Sequence, residues 1–176
     1  SIAQSFANNS DQNLGGVSWN VIGSTANVDA RDNTSTNDTL ETGHAIMLID
    51  GLTVVADNYA DLWDGSIQNS ITLTEMQGLT IGDADPPGFP YTGSLSDGTA
   101  MGASGVLRDV SGGGTIRQGQ ADSLTGWIDR DNASAPASDN VPLSIYAMSE
   151  TLTVVPESSA ALLISLAGLA LLRRRR

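Results

Sequence analysis

Two pairs of aspartates in polar loops are the residues of this sequence best suited to chemistry. Asp83 and Asp85 stand two apart in one loop-forming stretch, and Asp129 and Asp131 stand two apart in another. Loop carboxylates at this spacing are typical Ca²⁺ ligands, although neither pair has the spacing of an EF-hand. A glycosidase would also need two carboxylates. Because aspartates in polar loops are usually turn formers, we predict no catalytic residue and no required cofactor, and keep Ca²⁺ binding as the metal alternative.

Other catalytic or metal chemistry has less support. His44 is the single histidine, the chain has no cysteine, and no nucleophile elbow frames a serine. Zinc sites use several Cys and His ligands, so zinc is not expected. We predict that His44 is a structural or surface residue. Asp61 and Asp64 flank Trp63, and their spacing favours a turn held by side-chain hydrogen bonds over a catalytic pair.

Three aromatic residues offer a different kind of site. Phe89, Tyr91 and Trp127 lie in or beside loop-forming stretches. Together they could form a surface platform on which sugar rings stack. Aromatic side chains are more often buried in a core, and the core is therefore the preferred prediction.

The elements that must position these residues are short. Residues 1–13 place Ile2 and Phe6 four apart, which predicts a short amphipathic helix. Asp50-Gly51 separates two apolar runs within residues 45–55, which predicts a β-hairpin. Strands are also predicted within 17–28, 115–117 and 141–155, a turn-rich segment at 59–65, and polar loops at 32–42, 82–98 and 129–140.

The charge of the chain is divided between an acidic body and a basic end. Residues 1–155 contain four Arg, no Lys and nineteen Asp or Glu, a net charge of −15. Such a domain repels nucleic acid and anionic lipid, so neither is an expected partner. The absence of cysteine excludes disulfide bonds and thiolate metal sites.

The last residues predict a membrane-targeted tail. Residues 160–172 carry no charge and one polar side chain, Ser165. A helix of this length spans roughly 20 Å, less than the ~30 Å hydrocarbon core of a bilayer. Four arginines follow at once, and such a cluster stays on the cytoplasmic side, so the domain before it is expected across the membrane. A packed C-terminal helix is the alternative, but it would show polar positions at helical spacing.

This tail resembles the PEP-CTERM sorting signal of bacteria that make extracellular polysaccharide. The motif of the signal corresponds to Pro156, Glu157 and Ser158, and Ser158 replaces the usual second proline. A short apolar helix follows the motif. The basic cluster consists of Arg173, Arg174, Arg175 and Arg176. The resemblance implies an exosortase-type processing enzyme as partner, a transient transmembrane helix, and delivery to the cell surface or extracellular matrix. The chain opens without a signal peptide, so we expect the mature or a truncated form of an exported protein.

The body of the chain resembles the bacterial endostatin-like domain of the C-type-lectin-like superfamily. The matching segments, in family order, are Ala60-Asp61-Leu62, Asp64-Gly65-Ser66-Ile67, Ile71 and Glu75, Tyr91-Thr92-Gly93-Ser94, Ser96-Asp97-Gly98-Thr99, Gly126-Trp127 and Ile145-Tyr146-Ala147. Ile2-Ala3-Gln4 is similar to the first helix of the family. Ala3 and Ala147 stand where the family has cysteines, which implies a lost disulfide worth ~2–5 kcal/mol.

The resemblance implies an α+β fold with a small twisted antiparallel sheet, one or two helices and long glycine-rich loops. The tail adds a C-terminal hydrophobic helix to this prediction. An all-β sandwich is the alternative that the short strands permit. The two resemblances divide the chain into an endostatin-like domain at residues 1–153 and a sorting signal at residues 154–176. Without the disulfide, Trp19, Trp63 and Trp127 would have to supply much of the core.

Three hypotheses about function follow. The preferred one is a non-catalytic, surface-sorted binding or adhesion protein associated with extracellular polysaccharide, whose ligand-binding residues the sequence does not identify. The second is a structural matrix protein without a specific ligand, which self-associates. The third is a hydrolase acting on the matrix, and it lacks a framed catalytic group.

Overall fold

The strands of this chain are short and pair two by two. The computed structural model of the protein describes residues 2–9, 16–73, 88–102, 105–107, 114–130, 134–137 and 144–152. In chain order the elements are α1 (Ile2–Asn8), β1 (Trp19–Ile22), α2 (Ala30–Asn33), β2 (Ile46–Met47), β3 (Val54–Ala56), α3 (Tyr59–Leu62), β4 (Gly114–Arg117), β5 (Ser134–Ala137) and β6 (Tyr146–Ser149). Within these ranges the strands form three antiparallel ladders, β1–β6, β2–β3 and β4–β5.

The first and last strands join the two ends of the described chain. In the β1–β6 ladder Trp19 lies opposite Ser149, and Ile22 lies opposite Tyr146. Helix α1 packs beside β1, because the Gln4 side chain accepts a hydrogen bond from Trp19 N at 3.0 Å and donates one to Val17 O at 3.1 Å. A helix of seven residues is marginal alone, so this docking stabilises it.

The predicted hairpin over 45–55 is confirmed as the ladder β2–β3. Its loop is longer than a two-residue turn, since Leu48 N donates to Thr53 O and Gly51 N donates to Leu48 O. Gly51 has φ of +66°, a conformation that favours glycine. The Asp50 carboxylate accepts from Leu52 N and Thr53 N, both at 2.9 Å, and so closes the loop.

Tryptophans at two of the three predicted positions lie in the core. Trp127 is fully buried, with its ring centroid 5.7 Å from that of Trp63 and 5.9 Å from that of Tyr146. Trp19 is only half-buried. The same cluster includes Ile22, Val55, Ala56, Leu62, Ile67 and Ile128. Segments from α3, the hairpin, β1 and β6 therefore meet around one cluster of tilted aromatic rings.

Several local predictions need correction. Strand β5 lies inside the region predicted as a polar loop at 129–140, and Pro136 within it pairs opposite Thr115. Among the described strands β5 pairs with β4 alone, so β5 is an edge strand, where proline is tolerated. Helix α2 overlaps the start of the predicted loop at 32–42, and α3 occupies the turn-rich segment at 59–65. The predicted strand at 115–117 is confirmed as part of β4.

The described elements mix short helices with antiparallel strands. The endostatin-like assignment, and the all-β alternative, stay predictions. The sorting tail at 154–176 lies outside the described residues, as does Glu75. Within the described ranges no helix is both long and apolar enough to cross a bilayer.

Candidate functional site

Of the residues predicted to bind a metal, Asp129 alone is described. Asp83, Asp85 and Asp131 lie outside the described residues, as do the sorting residues Pro156, Glu157, Ser158, Arg173, Arg174, Arg175 and Arg176. Asp129 follows the buried pair Trp127 and Ile128 and is held against β4. In the described part of the chain no three His, Asp or Glu side chains gather closely enough to hold a metal ion.

Asp129 is engaged in an ion pair with the last residue of β4. Its Oδ1 lies 2.5 Å from Arg117 Nε, and the two side chains are 15% and 2% exposed. The contact joins two opposite charges without the alignment of a good hydrogen bond. Since a charge of either sign is costly to bury alone, each group needs the other. Asp129 could serve Ca²⁺ only by giving up the charge that balances Arg117.

Arg130, the next residue, has a different environment. Its guanidinium carbon lies 4.0 Å above the centre of the Phe89 ring, and both side chains are half-exposed. Of the three described arginines, Arg31 and Arg117 each face an aspartate, whereas Arg130 faces an aromatic ring. A guanidinium this close to the centre of a ring is attracted by the negative face of the ring, a cation–π contact.

Backbone hydrogen bonds hold the two partners of this stack in place. Arg130 N donates to Gln118 O at 2.9 Å, and Gly119 N donates to Pro90 O at 2.8 Å. The Gln118 side chain also donates to Phe89 O at 3.4 Å. The loops at 88–91 and 127–130 are thus fixed to the end of β4. We call Phe89, Arg130 and the more deeply buried Arg117–Asp129 pair beside them in the chain the arginine site.

The aromatic platform considered from the sequence is not formed as a group. Tyr91 is 3% exposed and Trp127 is fully buried, so neither offers a face to a sugar. Burial also raises the pKa of Tyr91 above its usual value. Phe89 alone of the three is partly accessible. The preferred prediction of a core position is confirmed for Tyr91 and Trp127.

Asp61 and Asp64 have the structural roles predicted for them. Asp61 Oδ2 accepts from Asp57 N at 2.7 Å and from the Gln68 side chain at 2.8 Å. Asp64 Oδ1 accepts from both the backbone N and the hydroxyl of Ser66. These bonds close the loops around α3. His44, predicted to be structural or at the surface, is exposed before β2.

A buried network of hydroxyl groups, which no sequence motif predicted, joins these loops. Ser24 Oγ and Ser94 Oγ lie 2.8 Å apart, and Thr92 Oγ1 donates to Ile128 O at 2.6 Å. Gly93 between them has φ of +64°, and a Cβ there would lie 2.5 Å from Leu107 N. The segment Tyr91-Thr92-Gly93-Ser94 could have predicted this network. Its glycine can adopt a positive φ and lets two loops come close together, and the hydroxyl residues on either side can form hydrogen bonds there.

Comparisons with known proteins found no matching family model, no similar curated protein and no similar solved structure.

Proposed function

We propose that this protein is a non-catalytic binding or adhesion module that is sorted to the cell surface and associates with extracellular polysaccharide. The proposal assigns residues 1–153 to an endostatin-like, C-type-lectin-like domain and 154–176 to a PEP-CTERM-type signal. An exosortase-type enzyme would process that signal after the apolar segment has entered the membrane. The mature domain would then remain at the surface or in the matrix.

The arginine site is the observation that carries the binding proposal. The Arg130 guanidinium lies against the Phe89 ring and is not fully buried, and its N–H donors suit the hydroxyl and carboxylate oxygens of sugars. The stack is fixed before any ligand arrives, which lowers the entropy lost on binding. It also stands out in a domain where acidic side chains greatly outnumber arginines.

The use of the carboxylates supports binding over catalysis. Asp129 balances Arg117, Asp61 and Asp64 close loops, and Asp97 accepts from Thr99 N and Thr99 Oγ1. A general acid or base needs a carboxyl group that can exchange a proton with a substrate. The carboxylate oxygens of these residues instead accept hydrogen bonds or balance a charge within the fold.

The binding proposal is tested by retention of the full chain, kept in a nonionic detergent, on an immobilised acidic polymer, polygalacturonate, and a neutral one, dextran. Each column is run with Ca²⁺ and with a chelator. We expect retention on at least one polymer, and Arg130→Gln should weaken it roughly ten-fold, since a hydrogen bond to a charged group contributes about 1.5–3 kcal/mol. Phe89→Ala should weaken it as well, because the guanidinium loses its support.

Arg31→Gln is the matched control, because it removes the same charge from a half-exposed arginine outside the arginine site. It should leave retention near that of the unchanged chain. Absence of retention on both polymers, with and without Ca²⁺, contradicts the binding proposal. If retention requires Ca²⁺ and is the same for the Arg130→Gln variant, the binding site lies in the aspartate loops and not at Arg130.

The sorting proposal has its own test, the intact mass of the protein recovered from the cell surface. We expect a form shortened near Pro156-Glu157-Ser158. Replacement of Arg173, Arg174, Arg175 and Arg176 by glutamine should leave the apolar segment uncleaved, because the basic cluster fixes its orientation in the membrane. Recovery of the full-length chain from the surface would contradict processing.

A further inference from the structure

The chain segments that form the arginine site are electrically neutral in an otherwise acidic domain. Residues 88–95 carry no charged side chain, and residues 114–130 carry two arginines and two aspartates, Arg117, Arg130, Asp122 and Asp129. The net charge of −15 therefore comes from the rest of residues 1–155. A domain so acidic repels anions over most of its surface. The segments of the arginine site add nothing to that repulsion.

Arg130 is the described arginine whose guanidinium faces no carboxylate. The other two described arginines each face an aspartate. The Arg130 guanidinium forms no ion pair or hydrogen bond with another described residue, and it lies against the Phe89 ring instead. An aromatic ring attracts a cation but has no net charge with which to neutralise it. The positive charge of Arg130, on a partly exposed side chain, is therefore available to an anion.

The residues on either side of Phe89 are bonded to the chain that follows β4. Gly88 O accepts a hydrogen bond from Ala121 N at 2.9 Å, and Pro90 O accepts one from Gly119 N at 2.8 Å. Pro90 is buried, and its ring fixes its φ, which stiffens this loop further. The backbone that carries the aromatic ring is thus held before a ligand arrives. A ligand of the guanidinium therefore loses less free energy in ordering the site.

One guanidinium suits a ligand group that carries one negative charge. A planar carboxylate matches the guanidinium fork and can accept two parallel N–H bonds. A phosphate monoester carries about −1.5 to −2 at neutral pH, more than one arginine balances. A neutral sugar offers hydroxyl groups alone, and hydrogen bonds to a carboxylate are roughly twice as strong. Sugars that carry a carboxylate, the uronic acids, therefore fit this site better than phosphorylated or neutral sugars.

The acidic surroundings limit how many carboxylates the sugar chain can carry. Asp122 is exposed in the loop before Trp127, and Asp131 follows Arg130 directly in the sequence. A polymer with a carboxylate on every sugar would bring further negative charges toward these aspartates and toward the acidic rest of the domain. Like charges repel each other, so such a polymer loses part of what its contact with Arg130 contributes. A polymer with isolated carboxylates avoids this loss.

We propose that the arginine site binds one uronate carboxylate within a sugar chain of low charge density. Arg130 pairs with the carboxylate, and the neighbouring sugars of the chain are neutral. A polymer with every sugar charged binds more weakly because of repulsion, and a polymer without charge binds more weakly because it lacks the ion pair. This inference rests on the proposed function, since it names the class of ligand that the proposed binding site takes.

Three galacturonan polymers with the same backbone test the dependence on charge density. They are polygalacturonate, a randomly and partly methyl-esterified form, and a fully methyl-esterified form. The full chain, in a nonionic detergent, is passed over each polymer with a chelator present, so that Ca²⁺ does not bridge carboxylates. At low salt the partly esterified polymer should retain the chain roughly ten-fold more strongly than the fully esterified one, the effect of one charged hydrogen bond. It should also exceed polygalacturonate, and added salt should narrow that second difference by screening repulsion.

Variants show whether Arg130 is the source of this preference. Arg130→Gln should abolish the preference for the partly over the fully esterified polymer, Arg130→Lys should keep part of it because the charge remains, and Arg31→Gln, the matched control, should keep it in full. The preference is a ratio measured on one variant, so a partly unfolded fraction does not change it.

The outcomes separate this inference from the proposed function. Equal retention on the partly and fully esterified polymers overturns the inference, and so does a preference that survives Arg130→Gln. Strongest retention on polygalacturonate at low salt overturns it as well. In these three cases the chain still associates with polysaccharide, so the proposed function stands. Absence of retention on all three polymers and on dextran contradicts both.

Discussion

Arg117 and Arg130 lie at two depths of the same site and have opposite surroundings. Arg117 is 2% exposed and faces the carboxylate of Asp129. Arg130 is half-exposed and lies on the ring of Phe89. The backbone bond from Arg130 N to Gln118 O ties the two environments together. One chain segment thus carries both a buried, balanced charge and an accessible guanidinium.

This difference indicates how the proposed binding function could be separated from the framework of the fold. Below the surface, the Arg117–Asp129 pair, the Ser24–Ser94 contact and the aromatic stack fix loops that have little regular structure of their own. Nearer the surface, the Arg130 side chain contributes little to that framework, and under the proposed function its donors would bind a ligand. Substitutions in the lower layer should change the free energy of unfolding, and substitutions in the upper layer should change binding.

The largest expected effect is that of Trp127→Ala. Trp127 is fully buried and touches both Trp63 and Tyr146, so its removal leaves a cavity at the meeting point of several segments. We expect a loss of about 3–5 kcal/mol in the free energy of unfolding. Urea unfolding followed by far-UV circular dichroism measures it.

Phe89→Ala is the comparison for Trp127→Ala. Phe89 is half-exposed, so truncation should cost roughly 1 kcal/mol or less. If the two variants lose the same free energy of unfolding, Phe89 stabilises the fold as much as the core residue Trp127 does.

The next effect in size is that of Arg117→Gln. Removing the guanidinium leaves Asp129 partly buried without its counter-charge. We expect a loss of about 3 kcal/mol, at the lower end of the range for broken buried pairs because Asp129 retains some contact with water. Urea unfolding at neutral pH measures the change.

A second substitution separates the loss of charge balance from the loss of packing. Arg117→Gln combined with Asp129→Asn removes both charges, and it should recover much of the stability lost by the single variant. No recovery would mean that the arginine acts through its packing and not through its charge.

How far the sequence could predict this framework depends on the range of each interaction. The helix at Ile2–Asn8, the hairpin and the strand ending at Arg117 were predictable because side-chain periodicity and turn residues act within a few positions. Strand β5 was missed because its pairing with β4 overrides a polar, proline-containing sequence. Such pairing is decided by residues distant in the chain.

The candidate site was even less predictable from sequence. Phe89 and Asp129 were each singled out, one for sugar stacking and one for Ca²⁺, but their positions in the chain do not indicate that they share a site. Arg117 and Arg130 carried no motif. What joins them is backbone contact between loops about 30 residues apart, such as Gly119 N to Pro90 O, and no local periodicity records such contacts.

A smaller effect should come from the hydroxyl of Tyr146, which makes no hydrogen bond within the described part of the chain. Burial, and secondarily the charge of Asp122, raise the pKa of Tyr146 well above its usual value. The folded state therefore favours the neutral phenol. The resulting stability is complete below the unfolded pKa near 10 and is lost as pH rises toward the folded pKa, at up to about 1.4 kcal/mol per pH unit.

Tyr146→Phe should accordingly be neutral or slightly stabilising at pH 7, because it removes a buried hydroxyl without a hydrogen bond. Between pH 10 and 11 it should flatten the decline in unfolding free energy. The chain has no lysine or cysteine, and Tyr146 is one of three tyrosines, so few other side chains titrate in that window. Urea unfolding at pH 7, 10 and 11 measures both effects. An unchanged alkaline slope would show that the buried phenol is not its source.

Of the two arginine substitutions, Arg130→Gln should cause the smaller loss of stability, because Arg130 lies nearer the surface than Arg117. Loss of the stack on Phe89 should cost about 0.5–1 kcal/mol, the usual value for an exposed cation–π contact. Paired urea titrations of the Arg117→Gln and Arg130→Gln variants give the difference directly. If the Arg130 variant loses as much stability as the Arg117 variant, Arg130 belongs to the framework and its role in binding loses its main support. If its stability is nearly unchanged while retention on polysaccharide falls, one site serves two separable purposes at two depths.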